Sequence, residues 1–377
     1  MTTLFEHARK LDAAGQVDDF WMLVDGDSIV SVGTGAGPAA DESVDLGGDW
    51  LTPGFIDLHS HGAGGFSYDD GAEAIEAALA VHHAHGTTRS VISLVANPVA
   101  ALEASLVAIA GLVDTDPLVL GSHLEGPYLS PERPGAHNPE FLRDPQPAEL
   151  DRLLLAARGT LRQITIAPEL PNALELIEIL VENEVMVAVG HSQADFDLTR
   201  KAFDLGARLL THAFNAMHGI GHRAPGPVIA AFEDARVTIE LILDGEHVHP
   251  DVAALAFRSA PGRIALITDA MAAAGSSDGD YALGSLTVEV RDGIAHLAGT
   301  DTIAGSTLTQ DRALRMAIER VGVAPADAVA ALTLTPARAL GLDARHGLLA
   351  PGFVADAVHL DSHWAVQRVW ANGAALC

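Results

Sequence analysis

Four scarcities bound what this chain can be. Its 377 residues include one cysteine, Cys377, at the last position. That excludes an intrachain disulfide and a thiolate zinc site, and it makes a cytoplasmic location the default expectation. Basic residues are few: 22 Lys and Arg against 50 Asp and Glu, a formal net charge of −28. Such a surface repels phosphodiester backbones, so no nucleic-acid partner is expected. An anionic substrate must then be held by a local basic patch. Lysine is scarcest, with only Lys10 and Lys201. Lys10 lies in the N-terminal segment and Lys201 inside the helical pattern DLTRKAF. Neither can bridge two metals at a strand end as a carboxylated lysine, nor form a Schiff base there. Long apolar runs are also missing. None reaches transmembrane length, and the opening MTTLFEHARKLDAAG lacks an apolar signal-peptide core, so no membrane association is expected.

What is present can build a sizeable core. Hydrophobic residues make up 49% and charged residues 19%, which argues against disorder and fits one large barrel with a small appendage. Residues 1–50 carry short β-type runs, with a DGD turn inside DDFWMLVDGDSIVSVG suggesting a hairpin. Residues 350–377 are similar. Neither end holds enough apolar sequence to fold alone, so the two are expected to pair as a small β-sandwich domain. Residues 51–349 would form the main domain.

Within it, strand and helix signals alternate. Strands are expected at 54–59, 88–95, 118–124, 161–167, 185–190, 207–212, 236–243 and 263–268. Amphipathic runs such as AEAIEAALAVHHAHG, NALELIEILVENE and DFDLTRKAFDLG lie between them, the first and third stopping at Gly86 and Gly206. The fold class is α/β, a (β/α)8 TIM-like barrel with its site at the C-terminal strand ends. Residues 126–147 form a Pro-rich loop, a candidate lid, and YALGSLTVEVRDGIAHLAG reads as a hairpin insertion around Asp292-Gly293.

Six potential metal donors sit at those strand ends: His59, His61, Glu125, His191, His212 and Asp269. Alternation along a strand puts His59 and His61 on one face. A lone HxH is equally a hydrogen-bonded core pair, but the Gly-rich loop after it favours ligands. Glu125 ends an apolar strand, where a carboxylate needs a cation or a metal. His123, two residues earlier, reads as a hydrogen-bonded supporting residue, with a ligand role as the lesser alternative. Glu125, His191 and His212 make a two-His, one-carboxylate set with room for water. Asp269 alone would read as a helix N-cap for AMAAAG; as the eighth-strand member it can exchange a proton with an activated water. With no lysine available, two ions would have to be bridged by Glu125. Arg223 and His247 follow strands six and seven and suit a phosphate, although a single loop arginine is more often solvated. His137, in the loop, could polarise a carbonyl. His82, His83 and His85 read as helix-surface residues, and His218 and His222 as exposed or anion-facing.

The segments PGFIDLHSHGAGG, HLEGPYLSPERPGAHNP, VGHSQAD, THAFNAMHG, HRAPGP, DGEHVHP, LITDAMAAAG and AGSTLTQDRAL occur in one order over most of residues 50–350. On them the chain resembles the N-acetylglucosamine-6-phosphate deacetylases of the amidohydrolase superfamily. The resemblance implies a hydrolase of linear amide C–N bonds that converts N-acetyl-D-glucosamine 6-phosphate to D-glucosamine 6-phosphate and acetate, in amino-sugar catabolism and cell-wall recycling. It implies a homodimer and one or two divalent ions, zinc first, with iron, manganese or cobalt as alternatives. Glu125, His191 and His212 match the main metal ligands, and His59 and His61 the branch that keeps a second position. Asp269 matches the general base, then acid, for a metal-activated water attacking the acetamide carbonyl, and His137 the residue beside that carbonyl. Asn215, Ala216, Arg223 and His247 match sugar-phosphate contacts, with the arginine able to come from the neighbouring subunit. Ala304 and Ser306 match the acetamido side. A cyclic-amide or N-acetyl-amino-acid hydrolase would explain the metal set but not HLEGP, GAHNP and THAFNAM together. Nothing in the chain supports a non-catalytic sugar-phosphate sensor.

Overall fold

A computed structural model describes residues 1–376; Cys377, on which the expectations about disulfides and thiolate ligands turn, lies outside the described residues. Eight strands follow the expected positions. They are β1 Phe55–Ser60, β2 Thr87–Leu94, β3 Val119–Glu125, β4 Leu161–Ile166, β5 Met186–Val189, β6 Leu209–Leu210, β7 Thr238–Ile242 and β8 Ile264–Ile267. They bond in sequence order, and every pairing from β2 to β8 is parallel. All residues of β1 and β2 are buried, as expected of parallel strands covered on both faces. Past the end of β8, Asp269 N–H donates to the His59 carbonyl at 2.8 Å and His61 N–H to the Ala270 carbonyl at 2.7 Å, which brings the two ends of the sheet order together. The result is a (β/α)8 barrel.

The helices fall where apolar periodicity puts them, at Ala72–Ala84, Ala173–Glu182 and Phe196–Asp204 for the three segments singled out above. Gly86 and Gly206 follow the first and third with φ of +92° and +115°, a backbone state that favours glycine. One reading of the first helix is corrected. His82 is buried, because Ile75, Ala78, Leu79 and His82 continue one inward stripe at helical spacing. β6 is shorter than expected because the chain turns left-handed at His212, φ 26°, although Thr211 N–H still donates to the Val189 carbonyl.

The insertion after β8 holds three strands, Gly279–Leu283, Leu286–Arg291 and Ile294–Leu297, one more than a hairpin. The extra turn is at Gly284-Ser285. At the expected turn Asp292 and Gly293 both have positive φ, as the tightest hairpin turns require. After Asp269, Ala270 bridges to Ser306 and residues 272–275 form turns, with no helix over 270–275, so the N-cap alternative falls away.

The chain divides into two compact units, Leu58–Leu79 with Ser90–Leu308, and Met1–Asp57 with Ala80–Arg89 and Thr309–Cys377. In the second, the expected β domain takes the form of one continuous eight-stranded sheet from both termini. The long strand Thr2–Asp12 joins its parts: it pairs with Gly15–Asp25 on one side and, on the other, with Glu42–Asp45 and then Trp50–Pro53. Ala357–Leu360 pairs with Trp50–Pro53 and carries the C-terminal strands. Phe5, Phe20, Met22 and Trp370 lie in its core, with the Phe5 and Trp370 rings edge-to-face at 5.0 Å. Among the described residues no helix is long and apolar enough to cross a membrane.

Candidate metal centre

The six expected donors converge, all buried. Glu125 is the last residue of β3, and His59 lies within β1. His191, His212 and Asp269 each stand two residues beyond their strand and adopt φ of 46°, 26° and 47°. A left-handed turn at a residue with a Cβ costs about 1–2 kcal/mol. Its recurrence at three strand ends shows where the fold concentrates strain, a pattern typical of functional sites.

The donors form two groups, Glu125–His191–His212 and His59–His61–Asp269. Glu125 Oε1 lies 3.1 Å from His191 Nε2 and 3.0 Å from His212 Nε2, and those two nitrogens are 2.9 Å apart. His61 Nε2 is 3.1 Å from His59 Nε2, 3.3 Å from Asp269 Oδ1 and 3.2 Å from Glu125 Oε2. Glu125 thus touches both groups.

Donor chemistry tests whether a metal fits. His191 Nδ1 is 2.9 Å from the Arg133 carbonyl, which can only accept, so Nδ1 carries the hydrogen. In the neutral ring Nε2 then offers a lone pair towards Glu125 and His212. Lone pairs and carboxylates this close need a cation between them. The surrounding field agrees. Burial, the largest influence on His61, pulls its pKa down, but Asp269 and Glu125 raise it to about 9. Burial pushes Glu125 up, but His59 and His137 hold it well below the ordinary carboxylate range. Asp269 is likewise lowered: burial raises it, and His59 and His61 outweigh that. The donor set therefore suits a divalent cation in each group.

A cavity of about 440 Å³ opens over these residues. His137 lines it. Its Nδ1 accepts from the Ala96 N–H at 3.1 Å, so Nε2 carries the hydrogen and points at Glu125 Oε2, 3.2 Å away. Burial lowers its pKa to about 4, against an opposing pull from Glu125, and keeps the ring neutral. Asn215, Ala216 and His247 also line the cavity. His247 Nδ1 donates to Asp244 Oδ2 at 2.7 Å; burial lowers its pKa, but Asp244 raises it on balance and favours the imidazolium.

Three other expected residues are placed differently. Arg223 is exposed, outside the cavity lining. Ala304 and Ser306 are buried, and their neighbours Ile303 and Gly305 line the cavity. The Ser306 hydroxyl is committed to the Thr268 carbonyl at 2.6 Å. His123 is hydrogen-bonded through both ring nitrogens, to Ser93 Oγ and Thr165 Oγ1 at 2.9 Å each. Its pKa falls well below normal through burial and then the neighbouring His59.

Two residues went unnoticed in the sequence. Arg133, in the loop after β3, lines the cavity and reaches His218 Nδ1 at 3.3 Å and Gln193 Oε1 at 3.5 Å. Glu240, in β7, is fully buried beside His59. The alternation in TIELI was the one available signal, since it turns Glu240 to the same face as Thr238 and Ile242.

A parallel barrel carrying two such groups at its strand ends is a metal-dependent hydrolase architecture, and the chain belongs to the amidohydrolase family, whose model matches residues 50–375. Among its relatives is an N-acetylgalactosamine-6-phosphate deacetylase from Escherichia coli O157:H7, 40% identical over 99% of both chains. The human N-acetylglucosamine-6-phosphate deacetylase is 35% identical over 89% of this chain and 85% of its own. A crystal structure of N-acetyl-D-glucosamine-6-phosphate deacetylase from Mycobacterium smegmatis superposes with a TM-score of 0.94 at 42% identity, covering 100% of both chains. A mutant of that enzyme, in complex with N-acetyl-D-glucosamine 6-phosphate, matches at 43% identity with a TM-score of 0.94, covering 100% of this chain and 99% of its own.

Proposed function

We propose that this protein hydrolyses the acetamide of N-acetyl-D-glucosamine 6-phosphate to acetate and D-glucosamine 6-phosphate. The observation that carries the reading is the pairing of two buried donor groups with His137 and Asp269 on one cavity wall, in a chain 42% identical over its whole length to a structurally known deacetylase. The galactosamine epimer is the second reading, supported by the 40% identical relative of that name.

Glu125, His191 and His212 would hold the first ion, and His59, His61 and Asp269 a second. When bound, a divalent ion supplies a Lewis acid for the amide oxygen and lowers the pKa of water to about 7. Zinc is the first choice, and iron, manganese and cobalt suit the same donors. The chain's own residues do the rest. Asp269, ionised, accepts the proton of the attacking water and returns it to the nitrogen as the C–N bond breaks. An amine leaves poorly unless protonated, so this return is required. The neutral His137 donates its Nε2 hydrogen to the amide oxygen as negative charge grows there.

For the 6-phosphate, His247 supplies positive charge, Asn215 and Ala216 line the approach, and Arg133 adds a guanidinium from the same chain. Ala304 and Ser306 would set the acetamido side through the backbone they fix at Ile303 and Gly305. Exposure of Arg223 supports its delivery across a homodimer interface into the neighbouring cavity. A cytoplasmic location suits a phosphorylated sugar substrate.

The test is acetate release from both epimers by metal-replete protein. Faster turnover of the gluco sugar by tenfold or more supports the primary reading. The reverse preference selects the galacto epimer, and no release from either sinks both.

A further inference from the structure

Glu240 is fully buried in β7, and its role does not follow from the reaction. An ionised carboxylate in such surroundings is costly unless donors meet it. Its hydrogen-bond partners among the described residues are three. Gln163 Nε2 donates to Oε1 at 3.0 Å. The backbone N–H of His212 and Nδ1 of His59 both lie 3.4 Å from Oε2. Gln163 Nε2 and the His212 amide can only donate, so Glu240 is an acceptor on both oxygens. As a carboxylate it has no hydrogen to give, so the ring nitrogen facing it carries one. Nε2 of His59 is then the ligand atom, directed at His61 Nε2, Asp269 Oδ1 and Glu125 Oε1, 3.1, 3.5 and 3.5 Å away.

The four imidazoles differ in how their outer nitrogens are held. His191 Nδ1 is fixed by a neutral carbonyl, that of Arg133. His61 Nδ1 and His212 Nδ1 have no hydrogen-bond partner among the described residues. Among the described residues only His59 has a carboxylate behind it. A carboxylate behind a ligand histidine fixes the ring and raises its basicity.

We propose that Glu240 is a positioning residue: it fixes the tautomer and orientation of His59 and sets the affinity of the His59–His61–Asp269 group for its ion, while leaving the Glu125–His191–His212 group nearly unchanged. The proposal rests on the reading that both groups hold metal. Glu240, outside the ligand set, then controls how many ions the chain carries.

Glu240→Gln separates charge from shape. The new carbonyl can still accept from His59 and the His212 amide. The new amide N–H can donate to Gln163 Oε1, which has no partner among the described residues, once that side chain flips. Hydrogen bonds are kept and one negative charge is lost. The measurement is zinc stoichiometry after dialysis against graded chelator, with circular dichroism of the metal-stripped proteins as the fold control. The expected result is two ions in the wild type and selective loss of one in Glu240→Gln, at about 10–100-fold lower affinity for that ion. A variant that keeps both ions at wild-type affinity overturns the proposal. So does equal weakening of both, the mark of a general packing defect. A wild type that takes up one ion rejects the two-ion reading itself, and the role of Glu240 with it. A second measurement does not depend on the variant folding. In wild type loaded with two cobalt(II) ions, proton NMR should show slowly exchanging ring N–H signals from both His59 and His191. Fast exchange at His59 overturns the proposal.

Discussion

The imidazole of His191 and the backbone of Arg133 lock together. Nδ1 of His191 donates to the Arg133 carbonyl at 2.9 Å, while the His191 carbonyl accepts from the Ser130 N–H at 2.9 Å. The loop after β3 is therefore tied at two points to a residue of the candidate metal centre. The same loop carries Arg133 and His137 into the cavity, so loop position and donor geometry are one quantity.

Gly135 is where that coupling can be broken. Its φ is +56°, and a Cβ there would stand 2.7 Å from His191 Cε1. Gly135→Ala imposes left-handed strain of about 1–2 kcal/mol and pushes on a ring whose outer nitrogen is already fixed. The ring must shift. We expect the affinity of the Glu125 group for zinc to fall about tenfold or more, as it does when a ligand loses its support. Chelator competition measures it. Unchanged affinity would show that the loop yields instead of the ring.

Asp269→Asn keeps the shape of the acid/base residue and removes its proton exchange. General acid–base groups contribute about 10²–10⁴-fold. We expect kcat to fall by that range while KM for the phosphorylated sugar stays within a few-fold. Since Asp269 also belongs to the second donor group, metal content is to be measured on the same sample. A variant with both ions and near-normal kcat removes Asp269 from the acid/base role.

How far the sequence carried the site depends on the kind of residue. His59, His61, Glu125, His191, His212 and Asp269 were legible because each interrupts the end of an apolar β run, and a barrel gathers strand ends at one face. Glu240 and Gln163 were not. In TIELI and RQITI they look like single polar residues in short strands, and only the inter-strand register shows that they face each other and His59. Arg133 hid for another reason: loop sequence gives no period from which a direction can be read. The third strand of the insertion was missed because Gly284-Ser285 makes a weaker turn signal than Asp292-Gly293.

Arg223 offers a test of assembly as well as of substrate. It is exposed and outside the cavity lining, whereas His247 and Arg133 line it. If it reaches a phosphate only across a dimer interface, Arg223→Ala loses a charge-assisted bond of about 1.5–3 kcal/mol. We expect KM for the 6-phosphate to rise about 10–100-fold, with little change for unphosphorylated N-acetylglucosamine. The protein should sediment as a dimer throughout. Equal effects on both sugars would remove Arg223 from phosphate binding and leave that work to Arg133 and His247.

Arg89 and Asp356 make a buried, two-point ion pair in the terminal unit. Arg89 Nε and Nη2 meet the two carboxylate oxygens at 2.8 and 3.0 Å, and both side chains are buried. Burial, the largest influence, pushes the Asp356 pKa up, but His346 and Arg89 together hold it below the ordinary carboxylate value. The sign follows. In the unfolded chain Asp356 takes up its proton near its ordinary pKa of about 4, before the folded form does. Its contribution is therefore complete above about pH 4 and is lost as pH falls through the depressed folded value. Asp356→Asn leaves the Arg89 charge buried without its counter-charge, which costs about 3–5 kcal/mol at neutral pH. All four tryptophans, Trp21, Trp50, Trp364 and Trp370, lie in this unit, so their fluorescence in urea reports its unfolding. We expect the variant's midpoint to fall sharply at pH 7 and to differ progressively less from wild type below pH 4. A deficit of the same size at pH 7 and pH 3 would mean that the substituted amide is packed badly and that the charge is not what matters.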